Sequence, residues 1–204
     1  MAEGARALGK RDRDLARILA SLGTPPLWGR RPGFATLVRI ILEQQVSLAA
    51  ARSLYLRVTQ AMGGMSVQAV SARGEAGLRE LGLTRQKARY CHGLAARIQE
   101  GRLDLPSVAA LPDDAGRLLL LDVPGLGPWS VDIYYLMALR RPDVWPRGDL
   151  ALATALREAR GMGKLPTRDE QEALAAQWSP WRSVAARLLW ARYLADRGLY
   201  AAPG

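Results

Sequence analysis

Apolar residues recur at helical spacing along most of this chain, and no stretch alternates apolar and polar residues as a half-buried strand would. In 34–45 (FATLVRIILEQQ), Phe34, Leu37, Val38 and Ile41 fall on one helical face. Ser47 stands where it can cap a following helix, along which Leu48, Ala51, Tyr55 and Val58 keep the spacing. Thr84 can cap another, with Ala88, Cys91, Ala95 and Ile98 as its stripe. Residues 113–122, 128–140, 149–160, 168–178 and 183–197 read the same way, and Gly198 is a natural stop. The connections are short and rich in Gly and Pro, so an all-α domain is expected. At 204 residues, 49% of them hydrophobic, the chain fits one domain or two closely packed halves. A chain of that size buries roughly 70% of its unfolded surface.

Scarce residue types narrow the chemistry. One cysteine, Cys91, excludes an internal disulfide and any four-cysteine iron–sulfur or zinc cluster. One histidine, His92, excludes a multi-histidine metal site and argues against a Ser-His-Asp triad. Catalysis would therefore run on carboxylates, hydroxyls, lysines or aromatic surfaces. No apolar run approaches a membrane span, and charges break the N-terminal stretch every few residues, so an intracellular, soluble chain is expected. The net charge is +10, and only Lys10, Lys87 and Lys164 among the basic residues are not arginine. Such an excess suits a polyanion, because each neutralised phosphate releases counterions; it also fits a solubility role.

The sharpest local feature is Val123-Pro124-Gly125-Leu126-Gly127-Pro128-Trp129-Ser130. An apolar helix runs into a Pro-Gly-x-Gly turn, and Pro128 sits where a first helical residue tolerates proline. Gly125 and Gly127 can adopt positive φ and let another backbone approach closely. Their N–H groups, beside the positive end of the next helix dipole, suit a phosphate. An ordinary tight helix–helix connection would use the same residues.

The run LDVPGLGPWSVDIYYLMAL followed by RPDVWPRGDLALATAL resembles the helix–hairpin–helix and Gly/Pro-Asp loop of the HhH-GPD DNA glycosylase superfamily. Within it the chain is similar to the 3-methyladenine DNA glycosylase II group. FATLVRIILEQQVSLAAA, LRELGLTRQKARYCHGLAARIQEG and WSPWRSVAARLLW agree in order, so the resemblance covers roughly residues 15–197. It implies the HhH-GPD fold, with two helical subdomains flanking an active-site cleft, in a short form without an N-terminal β domain. The hairpin-bearing subdomain would take about 33–142, the second about 10–32 plus 143–200, and 1–9 would be a flexible tail.

The resemblance also assigns roles. Asp149 takes the position of the catalytic aspartate; on local grounds alone it is a good N-cap for LALATALREAR, and the two readings are compatible. A carboxylate there can stabilise positive charge developing on a sugar as its base departs. Strand-cutting members carry a lysine just after the hairpin, where this chain has Trp129, so a monofunctional glycosylase is implied. Trp129 matches a base-stacking tryptophan, and an indole face attracts cationic alkylpurines such as 3-methyladenine or 7-methylguanine by ~0.5–2 kcal/mol. Trp181 resembles a second aromatic wall, and Ile133 stands where some members place a base-contacting tyrosine. Gln45 matches the wedge that fills the hole left by a flipped base. Gln44, Gly125, Gly127 and Ser130 are expected at the DNA beside it. Main-chain carbonyls of Leu121, Val123 and Leu126 would hold Na+ or K+; no cofactor is required and no iron–sulfur cluster is expected. The implied partner is double-stranded DNA with damaged bases, met by a cytoplasmic monomer with no membrane contact. Two rivals stay open: a helix–hairpin–helix module that only grips DNA, and a glycosylase for other damaged bases.

Overall fold

The computed structural model describes residues 1–200. Among them every regular element is a helix: α1 (Ala2–Arg11), α2 (Arg13–Leu22), α3 (Phe34–Glu43), α4 (Leu48–Ala61), α5 (Val67–Glu80), α6 (Arg85–Gln99), α7 (Leu105–Ala110), α8 (Asp113–Leu121), α9 (Pro128–Met137), α10 (Leu150–Arg160), α11 (Arg168–Ala176) and α12 (Arg182–Ala195). None is long and apolar enough to cross a membrane. The caps follow the sequence. Ser47 accepts from the Ala50 N–H and Thr84 from the Lys87 N–H, and Thr167 with Glu170 closes a capping box on α11.

The described residues divide into two compact units, one of residues 30–134 and one of 1–29 with those from 135 on. In the first, α3 is the buried element: Leu37, Val38, Ile40, Ile41 and Leu42 are shut off from solvent, and α4 and α6 pack against it. Helices α5 and α6 pack against each other, with Val70, Leu78, Ala88 and Leu94 buried and α5 broken at Gly74 (φ 67°). In the second unit α12 plays the central part, packed by α1, α2, α10 and α11. It is buried from Ser183 to Ala191, which explains its lack of a polar face.

Inside α12 lies Arg187, almost wholly buried, donating to the carbonyls of Leu27, Ser183 and Leu136 at 2.8, 3.1 and 2.8 Å. Burial pushes its pKa down to about 10, so it stays charged at neutral pH. Three carbonyl dipoles replace its hydration and tie the end of the N-terminal segment to α12 and the last turn of α9.

The N-terminus departs from expectation. Residues 1–9, expected as a flexible tail, form most of α1, with Ala5 and Leu8 fully buried. Its frequent charges occupy the outward face, while the small apolar residues pack on α2 and α12.

Candidate active site

In the second unit, the chain leaves α9 and crosses 138–149 to reach α10. That crossing is fixed at several points. Asp143 receives Arg182 Nε and Nη2 at 2.8 and 3.0 Å and the Ser179 hydroxyl at 2.8 Å. Burial by itself would raise the Asp143 pKa, but these donors outweigh it and hold the carboxyl below its ordinary value. Ser183 accepts from the Val144 N–H and donates to the Arg141 carbonyl. The Trp145 ring lies 5.5 Å from Trp178, tilted by 55°.

The anchored loop ends at Asp149, 8% exposed and serving as N-cap of α10. Its Oδ1 accepts the Leu152 N–H at 2.9 Å and the Trp190 indole N–H at 3.3 Å. A carboxylate held by a helix N-terminus and an indole donor has one orientation rather than many. Trp190 is a residue that sequence reasoning passed over. Trp181, chosen instead as an aromatic wall, lies half-buried against α1, where a Cβ on Gly4 would stand 2.9 Å from Trp181 Cε3. Trp181 is the N-cap of α12, and Trp190 lies nine residues further along the same helix in its buried stretch.

In the first unit, the turn 122–127 links α8 to α9. The Leu126 N–H donates to the Val123 carbonyl at 3.0 Å, and Val123 and Leu126 are buried while Leu121 is exposed. Gly125 has φ +93°, and a Cβ there would stand 2.8 Å from Tyr90 Cβ and nearer still to its ring. Gly127, also expected at positive φ, is not among the positive-φ glycines; it is exposed, with open space where a Cβ would go. So Gly125 serves packing against Tyr90, and Gly127 leaves the backbone open to approach. Gly125→Ala is expected to destabilise the chain by about 1–3 kcal/mol, from positive φ and a forced Tyr90 shift. Gly127→Ala should leave stability near the parent's. Denaturant titration of both variants checks this, and equal midpoints for the two would deny Tyr90 its role.

Ser130 is 2% exposed, and Gln44 is half-buried; Gln44 Nε2 donates to Ser130 Oγ and to the Gly125 carbonyl, each at 2.8 Å. This pair therefore points inward and joins the 44–47 turn to the hairpin. Gln45 is exposed in that turn, with φ +57°. Trp129 is half-buried in the first turn of α9. Ile133 is buried, and the buried Tyr134 hydroxyl accepts the Gly33 N–H at 3.0 Å.

The profile of the HhH-GPD superfamily of base excision DNA repair proteins matches residues 38–180, from α3 to the start of α12. The chain belongs to this family. Proteins similar to this chain include a DNA-3-methyladenine glycosylase of Bacillus subtilis, 26% identical over 84% of this chain. DNA-3-methyladenine glycosylase 2 of Escherichia coli is 29% identical over 84% of this chain and 63% of its own length. The chain spans a little over half of the Bacillus relatives, 56% and 59% of their lengths. Among solved structures, the Schizosaccharomyces pombe 3-methyladenine DNA glycosylase in complex with abasic DNA shares the fold, with a TM-score of 0.81 at 21% identity, over 92% of this chain and 95% of that one.

Proposed function

We propose that this chain is a monofunctional DNA glycosylase of base excision repair. It flips alkylated, cationic purines such as 3-methyladenine or 7-methylguanine out of double-stranded DNA and hydrolyses the N-glycosidic bond, leaving an abasic site. The observation that carries the reading is Asp149, a nearly buried carboxylate fixed through one oxygen by Leu152 and Trp190. Family membership supports it, and so do the relatives named DNA-3-methyladenine glycosylase.

The chemistry follows from charge. As the base departs, positive charge grows on the sugar, and a preorganised carboxylate stabilises it without reorganising at that moment. A cationic purine needs no protonation to leave, so one carboxylate suffices. Trp129 offers an indole face that prefers such a base by ~0.5–2 kcal/mol. Trp190, beside Asp149, takes the second aromatic role in this reading, in place of Trp181. Gln45 is the wedge, because its left-handed backbone pushes an exposed amide outward from the turn.

The lack of lyase activity rests on the lysines. Trp129 holds the position after the hairpin, and Lys87 Nζ is already bound to the carbonyls of Leu42 and Gln44. Hydrolysis requires no cofactor. Carbonyls of Leu121, Val123 and Leu126 fit a hard monovalent cation: Leu121 ends α8, where carbonyls lack helical donors, and a carbonyl such as that of Val123 has a second lone pair. Na+ or K+ there would add positive charge beside a phosphate. We take the enzyme to act as a cytoplasmic monomer.

The test is base release from duplexes carrying 3-methyladenine, 7-methylguanine, 1,N6-ethenoadenine or hypoxanthine, with strand breaks scored with and without added alkali. Release of the cationic purines, with breaks only after alkali, is expected. Tight binding without release from any duplex would favour a DNA-gripping module. Breaks without alkali would overturn monofunctionality.

A further inference from the structure

The wedge turn has a support that the chemistry above does not use. It follows α3, whose last carbonyls point at the turn without helical partners. Lys87, one turn into α6, donates from Nζ to the Leu42 carbonyl at 2.8 Å and the Gln44 carbonyl at 2.9 Å. Burial lowers its pKa, partly offset by nearby Cys91. Its charge thus sits at the negative end of the α3 dipole, directly before the left-handed Gln45.

Two further contacts fix the same turn. Glu43 is clamped by Arg30 through paired bonds of 2.8 and 2.9 Å and by Arg39 at 3.1 Å. The Gln44 amide reaches the Gly125 carbonyl and Ser130 Oγ. One turn beyond Lys87 on α6, Tyr90 packs under Gly125. A single helix therefore holds the turn with Lys87 and the hairpin with Tyr90, while Gln44 bolts the two together.

We propose that Lys87 is a positioning residue that holds the 44–47 turn in its protruding form, so that Gln45 enters the duplex at a fixed offset from the hairpin. The inference rests on the glycosylase reading for its consequence, and on geometry for its cause. The hairpin sets where the backbone lies, and Lys87 sets how far and at what angle the wedge enters. Losing Lys87 frees the two carbonyls and lets the turn relax from positive φ, which only other constraints justify for a glutamine. Backbone gripping by the hairpin is unaffected.

The experiment uses the full chain with Lys87→Met, Lys87→Arg, Gln45→Ala and the Lys87→Met/Gln45→Ala double variant. Wedge entry is read from 2-aminopurine fluorescence beside a tetrahydrofuran abasic analogue, which needs no catalysis. Affinity for undamaged duplex and single-turnover release of 7-methylguanine are read in parallel. Lys87→Met is expected to bind undamaged duplex within about twofold of the parent, yet to weaken the fluorescence response and slow release about tenfold. Lys87→Arg, which still has donors, should recover part of both. In the Gln45→Ala background Lys87→Met should add little, because the residue it positions is gone. Additive losses in the double variant, or an unchanged fluorescence response in Lys87→Met, would overturn the proposal. Should Lys87→Met not fold, Lys87→Gln carries the same comparisons. Failure of the parent to release any base counts against the glycosylase reading alone, since the fluorescence readout still decides the role of Lys87.

Discussion

Asp149→Asn is expected to fold and bind DNA as the parent does while releasing bases on the order of a hundredfold more slowly, or worse. The reason lies in what asparagine keeps. Asp149 Oδ1 accepts the Leu152 N–H and the Trp190 indole N–H, and an amide oxygen can accept both. Asparagine caps helices as well as aspartate does, so α10 should hold its start. The negative charge is lost, and removing one preorganised group that faces developing charge costs about 3–4 kcal/mol of barrier. Asp149→Ala separates the two roles further. It also loses the cap, about 1 kcal/mol of stability, and leaves two donors without this acceptor. Single-turnover release and thermal melting of both variants measure the split. Release by Asp149→Asn within about threefold of the parent would remove Asp149 from the chemistry.

Much of the fold was legible because the buried faces are written at helical spacing: α3, α4, α6 and α8 to α12 begin within a residue or two of where periodicity and caps put them. Among the helices that escaped, two have a diluted pattern. Helix α1 has a charge or a glycine at six of its ten positions and buries mainly Ala5 and Leu8, and α5 contains Gly74 and Gly77. The turn before α9 and the Asp149 cap of α10 were legible because glycine, proline and an acidic cap carry their meaning in residue type. Gln44 and Ser130 could not be placed, since polar side chains near a turn look alike whether they face DNA or each other. Lys87 was invisible for a related reason: its partners are main-chain carbonyls, which every residue has. Trp190 went unread because what marks it is burial and its hydrogen bond to Asp149, neither of which residue type reveals.

Asp12→Ala should be the most damaging single change to stability, at about 3 kcal/mol, and should slow base release as well. Asp12 caps α2 by accepting the Asp14 and Leu15 N–H groups on Oδ1. Its Oδ2 accepts the Trp178 indole N–H at 2.8 Å and pairs with Arg160, which also reaches Asp14. Burial pushes the Asp12 pKa up, but the Leu15 N–H, Trp178 and Arg160 outweigh it, leaving the carboxyl below its ordinary value. A carboxyl lowered on folding adds stability that is complete above its unfolded pKa, roughly 4, and is lost as pH falls through the folded value. The gap in unfolding free energy between parent and Asp12→Ala should therefore be widest near neutral pH and close in acid. The activity loss has a separate route. Trp178 is held by Asp12 and packs at a tilt against Trp145, four residues before Asp149. Freed from Asp12, Trp178 gives Trp145 a softer seat, and the carboxylate loses part of its fixed aim. Denaturant unfolding across pH, with single-turnover release at a temperature where the variant stays folded, checks both. A gap that stays constant into acid would mean that the Asp12 charge is not what holds these elements, and unchanged release would cut the link from Asp12 through the two tryptophans to Asp149.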